Sequence, residues 1–114
     1  MGHYALIQFR DDARLEVANV GMVVISEELS LVEVRLGRSA VAEAMVARFG
    51  SAFELMLEGF AHRLTETLKR DLRADALRIF MASGANPLQI SAVRECYMTY
   101  GEDELSALFR DLVL

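Results

Sequence analysis

The run Val20, Gly21, Met22, Val23, Val24 and Ile25 constrains this chain more than any other stretch. It has no polar alternation, and its β-branched residues favour a strand. A short run that is apolar on both faces reads as a central strand, covered on both sides or lying beneath a helix layer. A buried helix would be longer, and Gly21 is a poor helix residue. Inside a strand, Gly21 points to a bulge or to the close approach of another backbone.

The rest of the pattern arranges itself around that strand. In residues 4–9, Ala5, Ile7 and Phe9 share one face and Tyr4, Leu6 and Gln8 the other, as in a strand. Residues 27–30 are polar enough for a turn. In residues 31–36, Val32, Val34 and Leu36 face inward and Glu33 and Arg35 outward, which predicts an antiparallel partner for the central strand, ended by Gly37. The middle of the chain is helical. Ala42, Met45, Val46 and Phe49 keep one face up to a stop at Gly50, and Ser51 is placed to cap the next helix. There Phe53, Met56, Leu57, Phe60, Ala61, Leu64 and Leu68 hold amphipathic spacing, with Glu54, Glu58, His62, Glu66, Lys69 and Arg70 outside. Glu58 with His62 and Glu66 with Arg70 stand in the favourable acid-first order for helix pairs.

Leu72, Ala76, Leu77, Phe80 and Met81 suggest a further helical piece ending at Ser83 and Gly84. Pro87 cannot sit in a central ladder position without losing a hydrogen bond, so it marks the start of a fourth strand. That strand alternates through Leu88, Ile90 and Ala92 and runs on towards Met98. Gly101, Glu102 and Asp103 open a last helix with Leu105, Leu108, Phe109 and Leu112 on one face. The expected fold is a single α+β domain: a mainly antiparallel sheet of about four strands with amphipathic helices packed largely on one face. The central strand's second face then asks for a second copy or a different protein, unless the last helix covers it. A homo-oligomer or a protein partner is the expectation.

At 114 residues the chain is one domain. Its apolar share of 54% is high, yet no window approaches the roughly 20 apolar residues of a membrane helix. Cys96 is the sole cysteine, so no intrachain disulfide forms, and residues 1–3 lead into a strand pattern rather than a signal peptide. A cytoplasmic protein is expected. The net charge of −5 argues against generic nucleic-acid binding.

One polar constellation stands out beside the central strand: Arg14, Glu16 and Asn19. A cation and an amide can hold an anionic group, and a carboxylate can orient it or act as a base. The same three residues can instead form an internal clasp, with Arg14 pairing Glu16 or another acid and Asn19 bonding loop backbone groups. No nucleophile with its base lies beside them, so catalysis is not the first reading. Asp11 and Asp12 with Glu16 read as a solvated turn rather than a Mg²⁺ site. His3 and His62 stand alone, so no metal is expected. No glycine-rich loop cradles a phosphate, and no cofactor is expected. Arg63, Lys69, Arg70, Arg73 and Arg78, interleaved with Glu66, Asp71 and Asp75, read as a solvated helix face.

The spacing Asp11-x-x-Arg14-x-Glu16-x-x-Asn19-Val20-Gly21, after a strand, resembles the opening of the domain-of-unknown-function 3037 family. Asn86, Pro87, Leu88, Gln89, Ile90 and Ser91, with Arg94 behind them, resemble its second strand motif, and Leu105, Leu108, Phe109, Leu112 and Val113 its last helix. The resemblance spans nearly the whole chain and marks Asp11, Gly21, Asn86, Gln89 and Arg94 as structural motif positions. There are departures. Arg10 and Asp12 stand where the family has prolines, Leu15 where it has glycine, and Val93 where a proline is expected. The resemblance implies a small bacterial or phage protein of a family often encoded beside HipA-like kinase-fold proteins, and so partnership rather than solo catalysis. Two readings follow. One is a non-catalytic binding or regulatory module partnered with a kinase-like or phage-defence protein. The other is a small enzyme or a nucleotide- or anion-binding domain using Arg14, Glu16 and Asn19.

Overall fold

The computed structural model describes residues 2–11, 13–82, 88–96 and 102–114. The chain runs β1 (Gly2–Asp11), β2 (Glu16–Ser26), β3 (Leu31–Leu36), α1 (Ala40–Phe49), α2 (Ala52–Arg70), α3 (Ala74–Ala82), β4 (Leu88–Ile90), β5 (Arg94–Cys96) and α4 (Glu102–Leu112). The fold is α+β, with an antiparallel sheet ordered β3-β2-β1-β4 and with β5 also paired to β1.

The single fourth strand expected after Pro87 is two short ones. Ile7 faces Ile90 and Tyr4 faces Arg94, so four residues span what three span on β1. Ser91 sits at the break. Its N–H donates to the Leu6 carbonyl, and its Oγ accepts from the Leu6 N–H, both at 2.8 Å. A side chain thus replaces a backbone acceptor, and the regular ladder stops there.

β2 begins earlier than the polar character of its first residues suggests. Glu16 already pairs with Asp11, so Glu16 and Asn19 belong to the strand and only Arg14 to the hairpin loop. Within β2 the register steps: Ile7 pairs with Gly21 but Gln8 with Asn19, leaving Val20 as an extra residue, a β-bulge. The bulge reverses which residues face which side. Ala18 and Val20 before it, and Val23 and Ile25 after it, all enter the same core. Gly21 is where β3 crowds in. A Cβ there would lie 2.9 Å from the Arg35 carbonyl oxygen and 3.2 Å from Ile7 Cδ1.

The main core lies between the sheet and α1, α2 and α3. It joins Ala5, Ile7 and Phe9 of β1 to Met45, Phe53, Phe60, Leu64 and Leu77. Phe9, Phe49 and Phe53 meet at ring-centroid distances of 4.9–6.1 Å. Helix ends follow local chemistry. Ser39 Oγ accepts from the Ala42 N–H at the start of α1, and Gly50 closes it at φ 111°. Ser51 does not cap α2: its own backbone is helical, and the Phe53 N–H bonds the Gly50 carbonyl instead.

The opposite face of the sheet corrects the expectation of an uncovered strip. α4 lies across it, and Met22, Val24 and Val113 are buried there among Tyr4, Leu6, Leu108, Phe109 and Leu112. Val20 and Val23 are closed off on the main side. Both faces of β2 are therefore covered by this chain's own helices, three on one side and one on the other. No helix among the described residues is long and apolar enough to cross a membrane.

Candidate functional site

Arg14, Glu16 and Asn19 do not converge. Arg14 lies in the β1–β2 loop, mostly exposed, and its nearest acid among the described residues is Asp11 at 3.9 Å. Asp11 also accepts from the Arg14 N–H, which closes the loop. Glu16 turns to α1, where Arg48 Nη2 donates to its carboxylate at 2.9 Å. Asn19 points to the α4 side. The strand alternation that puts Ala18 and Val20 into the main core puts Asn19 on the other face.

There Asn19 is one link in a row of amides. Arg10 Nη1 donates to Gln89 Oε1 at 3.3 Å, and Gln89 Nε2 donates to Gln8 Oε1 at 3.1 Å. Gln8 Nε2 donates to Asn19 Oδ1 at 3.1 Å, and Asn19 Nδ2 donates to the Leu112 carbonyl at 2.8 Å. The row crosses β4, β1 and β2 and ends on a carbonyl that the last turn of α4 leaves without an intrahelical partner. Asn19 is thus a clasp, though not on loop backbone as its sequence context suggests. It holds the end of a helix distant in sequence. Gln89 joins the same row, Arg94 lies on the outer strand β5 opposite Tyr4, and Asn86 falls outside the described residues.

Chemically this row can bind and orient but cannot move a proton at neutral pH, since amides neither gain nor lose one. Beside it lies a shallow depression of about 260 Å³, between Val17, Asn19, Ser39, Val41, Asp111 and Leu114. Among the described residues, no three His, Cys, Asp or Glu side chains converge as a metal site would need.

The second concavity was not legible in the sequence. A groove of about 480 Å³ runs between α2 and α3, bordered by His62, Arg63, Glu66, Arg70, Ile79 and Phe80. The basic side chains of these helices are not equivalent. Arg73 grips Asp71, with two side-chain bonds of 2.9 Å and a third to Asp71 from its own N–H. That arginine lowers the Asp71 carboxyl to about 2. Arg78 pairs with Asp75 at 3.1 Å and Lys69 with Glu66 at 3.7 Å. The Glu66–Arg70 and Glu58–His62 pairs that the spacing favours are not made, so Arg70, His62 and Glu58 have no side-chain partner among the described residues. On the groove's rim the apolar Ile79 is 69% exposed, and Leu55, on the polar side of α2, is 76% exposed.

Set against protein-family models, curated proteins and solved structures, the chain matches none of them.

Proposed function

We propose that this protein is a non-catalytic interaction module that works by binding another polypeptide. The observation that carries this reading is the outer surface of α2 and α3. Leu55 and Ile79, 76% and 69% exposed, stand there, and Ile79 borders a groove that Arg70 also lines without a side-chain partner among the described residues. Large apolar side chains next to such a groove are what protein interfaces use as anchors. The resemblance of its opening to the domain-of-unknown-function 3037 family agrees in kind, since it implies a partner such as a kinase-fold or phage-defence protein. At Leu15, where the resemblance has glycine, the backbone takes φ 55°, a conformation glycine adopts most easily.

The alternative, an enzyme or anion-binding site built on Arg14, Glu16 and Asn19, has less support. It would need Asn19 released from Leu112 and Glu16 from Arg48, and the three side chains brought together from three directions. The test is purification of the tagged protein from its host after mild crosslinking. A stoichiometric polypeptide, either a second copy or a distinct protein, is expected. A protein that comes through alone and binds a small anion, with binding lost in Arg14→Ala, would overturn the reading.

A further inference from the structure

We infer that the exposed face of α2 is a homotypic interface, on which two copies of this chain pack antiparallel about a two-fold axis. The inference rests on the interaction reading above and names the occupant of that surface. Leu55, Gly59, His62 and Glu66 follow each other at helical spacing along the side of α2 opposite its buried residues Phe53, Leu57, Phe60, Leu64 and Leu68.

Three features of this face fit a second copy. The first is charge. The N-terminal half carries Glu54 and Glu58; the C-terminal half carries Arg63, Lys69 and Arg70 with Glu66. Laid antiparallel about a two-fold axis, the same flank of each helix meets, so Glu58 of one copy runs along Lys69 of the other, eleven residues on and on the same flank, and the axis repeats the pair at the other end. The helix dipole accounts for acids in the first turn and bases in the last, but its effect fades beyond those turns. It leaves Glu58, beyond the first turn, unexplained. Glu58 and Arg70 have no side-chain partner among the described residues, and Arg63 meets only the Gly59 carbonyl of its own helix at 3.4 Å.

The second feature is Gly59. Glycine is the poorest helix former after proline, yet it stands mid-helix. A Cβ there would meet nothing within 4 Å, so no packing inside the chain requires its absence. A glycine on an exposed helix face lets another backbone approach closely. The third is apolar. Leu55 lies at the N-terminal end of this face and Ile79 borders the groove along its C-terminal half, so antiparallel packing carries the leucine of each copy towards the groove of the other.

The test is sedimentation or light scattering of the full chain over a micromolar concentration range, with circular dichroism as the check on folding. The wild type should dimerise, more weakly at high salt. Glu58→Lys and Lys69→Glu should each weaken dimerisation about tenfold or more, and the chain carrying both should regain most of it, because the reversed charges again complement each other. Gly59→Gln should weaken dimerisation while leaving the melting temperature of the dilute, dissociated chain unchanged or higher, since glutamine is the better helix former. A monomeric wild type would overturn the inference, and so would a dimer indifferent to Glu58→Lys and Gly59→Gln. A monomer that still captures a distinct protein from its host would sink self-association and leave the interaction reading standing. A monomer that captures nothing would sink both.

Discussion

The two faces of the sheet are closed by different means. On the main face three helices seal a core in which Phe53, Phe60, Leu64, Leu68 and Leu77 are buried, and apolar contact dominates the fit, with the exposed Arg48–Glu16 pair at its edge. On the other face a single helix covers Met22 and Val24 with side chains that stay half-exposed, Leu108, Phe109 and Leu112. So thin an apolar layer fixes a helix poorly, because sliding it by a turn changes little buried area. Directional bonds supply the register. Asn19 holds the Leu112 carbonyl, and Arg35 Nη1 donates to Ser106 Oγ at 3.0 Å nearer the other end of the helix. A large core selects its own geometry, whereas a small one needs hydrogen bonds to select it.

Four measurements would break or sharpen this contrast. Leu64→Ala, on the closed face, should lower unfolding stability by about 2–5 kcal/mol, since the cavity it leaves cannot fully collapse. Denaturant unfolding should show the loss as a single cooperative shift. If that shift were under about 1 kcal/mol, the three-helix face would be the looser of the two.

Gly21→Ala tests the strand that both faces share. Its added Cβ would press on the Arg35 carbonyl, a backbone atom with little room to yield, so a loss of about 1–3 kcal/mol is expected. An alanine variant as stable as the parent would mean that β3 is free to move away.

Asn19→Ala, on the thin face, should cost about 1–2 kcal/mol, through a helix-end carbonyl left without its donor. The diagnostic is where the change falls. Amide exchange should quicken across residues 102–112 well before it quickens in α2. Uniform acceleration across the chain would count against a separate, clasp-held face.

The smallest effect is set by acid. Asp71, in the turn between α2 and α3, is depressed from 3.8 to about 2 by Arg73. A carboxyl with a lowered folded value adds its stability above pH 3.8 and loses it as pH falls through about 2. The amide row at Asn19 contains no acid and should persist over that range. Carboxyl chemical shifts followed by NMR should give Asp71 the low midpoint, and Asp71→Asn should abolish the acid step on the main-face side while leaving α4 exchange unchanged. A midpoint near 4 would show the turn to be open.

Read alone, the chain determines most of its elements, because these follow from neighbours. The strand at residues 20–25, the stop at Gly50 and the stripe from Phe53 to Leu68 all rest on periodicity or on a residue's own backbone preference. The bulge and crowding at Gly21 were legible for the same reason: a glycine that interrupts an apolar strand marks a bulge or a close backbone. What lay beyond the sequence depends on pairs far apart in it. Asn19 and Leu112 are 93 positions apart, so nothing local shows that the amide serves α4 rather than its own loop. Glu16 finds Arg48, and Arg14 falls back on Asp11, because β2 begins at Glu16 and its alternation sends neighbouring side chains to opposite faces. Whether the second face of β2 needs another chain was likewise undecidable from pattern. Leu108, Phe109 and Leu112 announce an apolar helix face, but only the folded chain decides that it is laid on Met22 and Val24, while Leu55 on α2 and Ile79 on α3 stay exposed.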